Sequence, residues 1–280
     1  MYLVTGATGN VGSNVVTQLL ARDKKVKLFT RHPTQLGHWR DRVEVAVGDF
    51  EKPESFGRAV ADVEAAYLMN GRTYPQTFRA LAAAARTAGL RRIVFQSTLF
   101  ADDPSSAIGQ LHKQQEDALR EAGLEGKFLR PGGFMSNCFQ WLNTIRAEGV
   151  VYNPMGTGRF APVAPEDIAA VGVEVLTEPS LTEEHFAITG GEFITVPEQV
   201  EILAAVIGRP IRTVEIPIAT AIAGMLRAGL PPDLAEAVGK SYETVRAGRA
   251  MRLTDTVQRL TGKPPMTFHD WAHRHAQNFR

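Results

Sequence analysis

The chain has 280 residues, of which 44% are hydrophobic and 22% are charged, a composition typical of a globular protein and not of a disordered chain. Its 31 lysine and arginine residues nearly balance its 30 acidic residues, so no net field favours binding to nucleic acid or to a membrane surface. The single cysteine, Cys138, excludes an internal disulfide and a thiolate metal cluster. No apolar run is long enough to span a bilayer and no secretory leader follows Met1, so we expect a cytoplasmic protein.

The first half of the chain alternates short β-branched runs with amphipathic stretches, a pattern typical of βαβ units. The predicted strands are residues 2–5, 26–30, 43–47, 65–69, 93–96 and 127–129, and the predicted helices include 11–22, 74–88 and 111–122. Because crossovers between parallel strands are right-handed, these elements predict an α/β fold with a Rossmann-type doubly wound parallel sheet and helices on both faces.

The rhythm changes after about Arg130, where proline and glycine interrupt the pattern. We predict a nucleotide-binding domain over residues 1–150 and a smaller α/β substrate-binding lobe over 151–280, with some strands and helices returning to the first domain. Within this lobe, Thr195 and Glu198 have the spacing of a capping box. A closing helix is predicted from about Thr267.

A glycine-rich turn lies between the first predicted strand and the first predicted helix, and it reads Thr-Gly-Ala-Thr-Gly-Asn-Val-Gly over residues 5–12. In this context a glycine triplet binds the pyrophosphate of a dinucleotide, because free backbone N–H groups and the positive helix end face the ligand. The alternative is a tight turn that serves packing alone. The residues predicted to bind pyrophosphate are Gly6, Thr8, Gly9, Asn10, Val11 and Gly12.

The Gly-x-x-Gly-x-x-Gly spacing of this turn resembles the short-chain dehydrogenase/reductase superfamily, and in detail its atypical, NmrA-like branch. That branch includes NADPH-dependent quinone reductases, triphenylmethane-dye reductases and redox-sensing regulators without catalytic activity. The similarity extends to Arg31, to residues 48–50 and 96–98, to Arg-Pro-Gly-Gly-Phe-Met-Ser-Asn at 130–137, and to residues 165–169.

Two segments after predicted strands indicate how the cofactor's adenosine half is bound. Thr30 and Arg31 stand where an NAD enzyme usually has an acidic residue that binds the ribose hydroxyls. Arg31 can bind a ribose phosphate, and His32 could share this role, so NADPH is predicted in preference to NADH. The alternative for Arg31 is a solvated loop charge. By resemblance, Asp49 and Phe50 contact the adenine; otherwise Asp49 caps a turn.

Other predicted cofactor contacts lie nearer the reacting end of the dinucleotide. Met69, Asn70 and Gly71 follow the fourth strand at the carboxyl edge of the sheet, where such sheets bind ligands. The resemblance adds Gly133 and Phe134 after the sixth strand.

The usual carbonyl-reducing pair of short-chain reductases, a tyrosine four residues before a lysine, is missing. The lysine best placed by sequence order, Lys113, has Gly109 at the tyrosine position. The remaining catalytic candidates are Ser97 or Thr98, which follow the fifth strand, and Lys113 with its neighbour His112 on the next helix. By resemblance Lys113 binds the nicotinamide ribose, and Ser97 belongs to the same cofactor and catalytic set.

Each of these catalytic candidates has a structural alternative. Lys113 can form an ion pair with Asp117 or Glu116 on its own helix. His112 is a possible proton donor, since imidazole titrates near neutrality, but it could equally be a surface histidine.

A reaction without a tyrosine suits an acceptor such as a quinone, which takes hydride into a delocalised system without concerted protonation. The resemblance places Phe134, Asn137 and Trp141 in the substrate pocket, where aromatic side chains suit a flat apolar acceptor; the alternative is ordinary core packing. No metal site is predicted, although His269 and His273 share a helix face.

Together these features predict a cytoplasmic NADPH-dependent reductase, monomeric or homodimeric, that reduces a quinone or a similar conjugated aromatic acceptor. A non-catalytic NADP(H)-binding sensor is the main alternative, and an isomerase or epimerase of the extended branch is a third.

Overall fold

The computed structural model describes residues 1–69 and 75–280. Nine strands are described: β1 (Tyr2–Thr5), β2 (Val26–Thr30), β3 (Glu44–Val47), β4 (Ala65–Leu68), β5 (Arg92–Gln96), β6 (Glu125–Pro131), β7 (Val150–Asn153), β8 (His185–Ile188) and β9 (Arg212–Glu215). The helices within the described residues are α1 (Gly12–Ala21), α2 (Pro53–Val60), α3 (Pro75–Thr87), α4 (Ala107–Glu121), α5 (Leu142–Glu148), α6 (Pro165–Thr177), α7 (Val196–Ile207), α8 (Ile218–Arg227), α9 (Pro232–Arg246), α10 (Thr256–Thr261) and α11 (Phe268–Phe279). Short 3-10 segments cover Pro33–Trp39 and Met135–Trp141.

Seven parallel strands form the main sheet in the order β3-β2-β1-β4-β5-β6-β8. The strand order reverses direction between β1 and β4, which creates the crevice where doubly wound sheets bind nucleotides. The predicted Rossmann-type fold is therefore confirmed. All carboxyl ends of these strands lie at one edge, so the segments that follow β1, β4, β5 and β6 meet there.

Two apolar layers cover the sheet. Val15, Val16 and Leu19 of α1 pack with α6 against one face, while α2, α3 and α4 bury Phe56, Phe78 and related side chains against the other. The central strands β1 and β4 are buried along their whole length. Their apolar sequences follow from this, since a strand covered on both faces has no solvent side.

The second half of the chain is shared between the main sheet and a smaller lobe. Strand β8 extends the main sheet beside β6, and α6 packs against α1. Strands β7 and β9 form a separate two-stranded parallel sheet, whose core with α5, α7 and α11 surrounds the buried Trp271. Returning elements of this kind were expected from the sequence.

Two predicted helix starts in this half are confirmed. The Thr195 side chain accepts from the N–H of Glu198, and the Glu198 carboxylate accepts from the N–H of Thr195, which completes a capping box. Thr267 caps α11 by accepting from the N–H of Asp270. Helix α4, in contrast, begins four residues before its predicted start, because Ser106 caps it through the N–H of Gly109 at 3.0 Å.

Candidate active site

The glycine-rich turn is held by close backbone contacts that exclude side chains. Gly6 has φ of 64°, a left-handed conformation that favours glycine, and its carbonyl accepts from the Gly9 N–H at 2.9 Å. A Cβ at Gly12 would lie 2.2 Å from the Gly6 carbonyl oxygen. Helix α1 therefore starts directly against the end of β1.

The N-terminus of α1 has the features of an anion-binding site. No side chain caps this helix. Among the described residues, no acceptor forms a hydrogen bond with the backbone N–H of Asn10 or of Val11. Free N–H groups at a helix start, with the positive end of the helix dipole, match the charge of a pyrophosphate. Thr8 is exposed beside them. These residues fit a dinucleotide phosphate, and their contact with it stays a prediction.

The end of β4 is tied to this turn. The Thr5 hydroxyl accepts from the Met69 N–H at 2.8 Å and donates to the Met69 carbonyl at 3.0 Å, and the Met69 side chain packs on Gly6. Met69 therefore adjoins the predicted middle of the cofactor. Asn70 and Gly71, the other two residues predicted here, lie outside the described residues.

The residues predicted to contact the adenosine differ in whether their side chains already have partners in the protein. Arg31 and His32 are exposed, and no ion pair joins Arg31 to a described residue. The Asp49 carboxylate accepts from the Glu51 N–H at 3.1 Å, which agrees with the turn-capping alternative, and its contact with adenine stays a prediction. The Phe50 ring packs tilted against Phe29, with 5.3 Å between the ring centroids, and its adenine contact stays a prediction.

The structure explains why no tyrosine precedes Lys113. A Cβ at Gly109 would lie 1.9 Å from the Phe100 carbonyl oxygen. Helix α4 approaches the loop after β5 so closely that no side chain fits at the position where other short-chain reductases carry their tyrosine. The glycine is thus a requirement of this helix packing.

Ser97 belongs to a buried charge cluster. Its hydroxyl donates to Glu116 at 2.6 Å, and Glu116, with a fully buried side chain, also accepts two hydrogen bonds from Arg130 at 2.9 and 2.6 Å. Asp102 pairs with the same guanidinium at 2.5 Å. The bidentate geometry compensates the buried carboxylate and fixes the end of β6 to α4. Sequence reasoning missed this role of Arg130 and Glu116.

The other two catalytic candidates also have partners in the fold. Lys113 binds Asp117 at 2.5 and 2.6 Å. His112 is half-buried, and its ring faces Phe95. Burial lowers the pKa of His112, and its Nδ1–H donates to the Ile108 carbonyl at 2.9 Å, which leaves no proton on Nε2 of the neutral ring. The catalytic roles of Ser97, His112 and Lys113 stay predictions. None of the three side chains lines the cleft at the carboxyl ends of β5 and β6.

A cleft of about 980 Å³ opens at the carboxyl ends of β5 and β6, between the main sheet and the smaller lobe. The predicted residues Gly133, Phe134, Asn137 and Trp141 line it, together with Thr98 after β5. Helix α9 and the segment after it form the opposite wall. The predicted substrate residues Phe134, Asn137 and Trp141 therefore share one cleft with Thr98, and their contact with a substrate stays a prediction.

Two further polar side chains in this cleft escaped the sequence analysis. Tyr242 of α9 lines it, makes no hydrogen bond to a described residue, and has a pKa raised by burial, so its phenol is protonated at neutral pH. Gln199 of α7 is 2% exposed, and among the described residues its Nε2 has no acceptor. No local motif marks either residue, because only the tertiary fold brings α7 and α9 to the ends of β5 and β6.

Within residues 1–69 and 75–280, no helix is both long and apolar enough to cross a membrane. In the same part of the chain, no three His, Cys, Asp or Glu side chains are arranged to hold a metal ion. The rings of His269 and His273 do approach each other, with centroids 4.5 Å apart.

Comparison with known proteins identifies the family to which this chain belongs. The NAD(P)H-binding family matches residues 6–179. The chain is 38% identical to the (4-alkanoyl-5-oxo-2,5-dihydrofuran-3-yl)methyl phosphate reductase of Streptomyces griseus subsp. griseus, over 100% of this chain and 99% of that protein. It is 31% identical to the NAD(P)H azoreductase of Xenophilus azovorans, again over 100% and 99%.

A solved structure shows the same fold with a bound cofactor. The triphenylmethane reductase of Citrobacter sp., complexed with NADP(H), superposes with a TM-score of 0.84 at 25% identity, over 99% of this chain and 100% of that one. Both sequence relatives are reductases and are matched over nearly their whole length. The chain therefore belongs to the NAD(P)H-binding family, as an NAD(P)H-dependent reductase of the atypical, NmrA-like short-chain branch.

Proposed function

We propose that this protein is an NADPH-dependent reductase of electron-poor conjugated acceptors, such as quinones and unsaturated carbonyl compounds. The observation that carries this proposal is the cleft at the ends of β5 and β6, which is lined by aromatic side chains. The close packing of α4 at Gly109 adds to it, because it leaves no room for the usual tyrosine. NADPH, when bound, supplies a hydride. A conjugated acceptor spreads the resulting charge over its carbonyl oxygens, so protonation can follow from solvent, and the protein's contribution is binding and orientation.

The names of the relatives support the same class of acceptor. A 4-alkanoyl-5-oxo-2,5-dihydrofuran contains a carbon–carbon double bond conjugated with two carbonyl groups, and azo dyes and triphenylmethane dyes are also extended conjugated systems. These acceptors share electron-poor π-systems and do not share a shape. A broad cleft lined by Phe134, Trp141 and Phe160 suits this range of flat molecules.

The cofactor preference rests on Arg31. Its guanidinium is exposed after β2 and has no carboxylate partner within the described residues, so it is available for a ribose phosphate. Thr30, where an acidic residue would bind a ribose diol, uses its hydroxyl to accept from the His32 N–H at 3.0 Å. We therefore propose NADPH as the working cofactor.

Two side chains that line the cleft are the donors we propose for the acceptor's carbonyl oxygen. Tyr242 offers a protonated phenol, and Gln199 offers an amide N–H that lacks an acceptor in the protein. A buried donor without a partner costs about 1–3 kcal/mol, and a ligand oxygen that accepts from it would recover this energy. These contacts orient the acceptor and stabilise charge on its oxygen.

A panel of acceptors tests the proposal. It contains 2-methyl-1,4-naphthoquinone, an azo dye, a triphenylmethane dye, and (4-hexanoyl-5-oxo-2,5-dihydrofuran-3-yl)methyl phosphate with its free alcohol. NADPH oxidation is followed at constant cofactor concentration. We expect turnover with at least one member. Tight NADPH binding without oxidation by any of them would instead assign the protein to the non-catalytic sensors.

The variant Arg31→Asp tests the cofactor assignment separately. The ratio of kcat/KM for NADPH to that for NADH should fall by about tenfold to a hundredfold, since a lost charge-assisted contact is worth about 1.5–3 kcal/mol. Arg91→Gln is the control, because Arg91 is exposed at the opposite, amino edge of the sheet. An unchanged NADPH preference in Arg31→Asp would show that Arg31 does not bind the ribose phosphate.

A further inference from the structure

The charged residues of the cleft are few and unequal in sign. Among the described residues that line it, three carry a full charge: Asp103, Arg249 and Arg252. The Asp103 carboxylate already accepts from the N–H and the hydroxyl of Ser105, at 2.8 and 2.7 Å. The cleft therefore has one excess positive charge, and both of its cations come from the segment between α9 and α10.

These two arginines differ from their neighbours in the lobe. Arg246, three residues before Arg249, binds Glu215 at 2.5 Å, and Arg209 donates to the Ile145 carbonyl at 2.8 Å. Arg249 and Arg252 are exposed at the cleft. Within the described part of the chain, neither guanidinium has a hydrogen bond or an ion pair, and Asp103 acts on Arg249 only at a distance.

The position of the pair excludes two ordinary roles. A guanidinium that stabilises the fold pairs with a carboxylate or a carbonyl, as Arg246 and Arg209 do. A guanidinium that serves solubility alone has no reason to line a cavity, yet both arginines line the wall that faces Phe134 and Asn137. Two guanidinium groups without partners give this largely apolar cleft a cationic side, and guanidinium groups bind phosphate with several parallel hydrogen bonds.

We propose that Arg249 and Arg252 bind a phosphate ester carried by the acceptor, so that the cleft takes a conjugated carbonyl compound with an anionic arm. The carbonyl end meets Gln199 and Tyr242, and the phosphate lies at the α9–α10 segment. For the nature of the conjugated core this inference rests on the proposed function. The anion site itself stands on the two unpaired arginines.

Binding to the NADP⁺-loaded protein tests the inference without requiring turnover. Calorimetry measures the Kd of (4-hexanoyl-5-oxo-2,5-dihydrofuran-3-yl)methyl phosphate and of its free alcohol. In the wild type the phosphate should bind more tightly. In the double variant Arg249→Gln/Arg252→Gln, the Kd of the phosphate should rise by about tenfold to a hundredfold, while the Kd of the alcohol changes less than about twofold.

Controls separate this site from the cofactor and from folding. Arg91→Gln removes an exposed arginine at the far edge of the sheet and should leave both Kd values unchanged. The Kd of NADPH and the Tm should also stay unchanged in the double variant. If the variant weakens NADPH binding and not the phosphate ester, the arginines belong to the cofactor site and the inference is overturned.

The remaining outcomes are also decisive. Equal affinity for phosphate and alcohol in the wild type, including failure of both to bind, overturns the anion site. A phosphate preference that depends on the arginines, without NADPH oxidation by any acceptor, supports the anion site and contradicts the reductase proposal. The same comparison of 1,4-naphthoquinone-2-sulfonate with 2-methyl-1,4-naphthoquinone shows whether the site selects phosphate or any anion.

Discussion

The two ends of the candidate active site are built in different ways. The predicted pyrophosphate site at the cofactor end is one continuous turn, Gly6 to Gly12, in which backbone atoms pack closely and leave no room for a side chain at Gly12. The acceptor cleft takes its residues from segments as far apart as Thr98 and Arg252, and side chains make its contacts. A backbone site can be recognised from a short motif, whereas a side-chain site of this kind becomes visible only when the fold is known. Substitutions in such a side-chain site can also change the ligand that it binds without changing the fold.

The buried cluster of Ser97, Glu116 and Arg130, which fixes the end of β6 to α4, should give the largest effect on stability. Arg130→Met removes the two hydrogen bonds that the fully buried Glu116 carboxylate accepts from this guanidinium. The Arg120 guanidinium, 3.5 Å from the same carboxylate, stays in place, so we expect a cost at the lower end of the range of about 3–5 kcal/mol for breaking a buried pair on one side. Urea denaturation should show a fall of this size in the free energy of unfolding. The double variant Arg130→Met/Glu116→Leu removes both charges and should recover most of the loss. A single variant as stable as the wild type would contradict the structural role of the cluster.

A methyl group in the glycine-rich turn tests the backbone character of the cofactor end. In Gly12→Ala, the new Cβ would lie 2.2 Å from the Gly6 carbonyl oxygen, and relieving such overpacking costs about 1–3 kcal/mol. The Kd of NADPH, measured by fluorescence titration, should rise by about tenfold to a hundredfold.

Another glycine offers a matched control for this variant. Gly224 lies within α8, and a Cβ there would have its nearest neighbour at 3.9 Å, on Arg227. Gly224→Ala should leave NADPH binding unchanged and stabilise the fold by about 0.5–1 kcal/mol, the usual gain from alanine within a helix. Equal effects of the two alanines on the Kd of NADPH would show that the turn is not sterically special.

The contrast between a backbone site and a side-chain site also explains which features the sequence could predict. The strand pattern and the glycine spacing are local, so the predicted strands of residues 2–5 and 26–30 agree with β1 and β2, and the turn lies where expected. The start of α4 was missed, because Ser106 lies before the apolar pattern of that helix and caps it from outside.

The side-chain contacts were harder to predict, because each depends on a partner far away in the chain. Ser97 was recognised as following β5, yet its partner Glu116 is 19 residues away on α4. Tyr242 could not be found by searching for a lysine four residues later, since no lysine accompanies it and α9 alone brings it to the cleft. Sequence reasoning thus located the sheet edge of the site and missed the wall opposite.

Asp167 tests the contact between the main sheet and the lobe. This carboxylate at the start of α6 accepts from the Met266 N–H at 2.7 Å, and burial raises its pKa to about 6. Because the folded protein then holds a proton that the unfolded chain releases near pH 4, stability is lost as the pH rises from about 4 to 6. Asp167→Asn keeps an oxygen acceptor and removes the buried charge.

The variant Asp167→Asn should therefore match the wild type below about pH 4 and exceed its free energy of unfolding by about 3 kcal/mol at pH 7. Urea denaturation at several pH values measures the difference. A gap between the two proteins that stays constant with pH would show that Asp167 has an ordinary pKa. The NADPH affinity of the variant reports whether this contact also positions the cofactor site.

The smallest expected effect concerns Tyr242, and it separates binding from folding most cleanly. Because its hydroxyl has no hydrogen bond to a described residue, Tyr242→Phe should leave the Tm unchanged. If the phenol donates to the acceptor's carbonyl oxygen, kcat/KM for carbonyl acceptors should fall by about fivefold to tenfold, as expected for one neutral hydrogen bond of about 1 kcal/mol. Tyr152→Phe is the control, since Tyr152 lies outside the cleft and donates to Glu148 at 2.7 Å. Equal kcat/KM in both variants would leave Gln199 as the candidate donor from the cleft, and a loss in Tyr242→Phe alone would show that the lobe supplies the hydrogen bond that Gly109 makes impossible on α4.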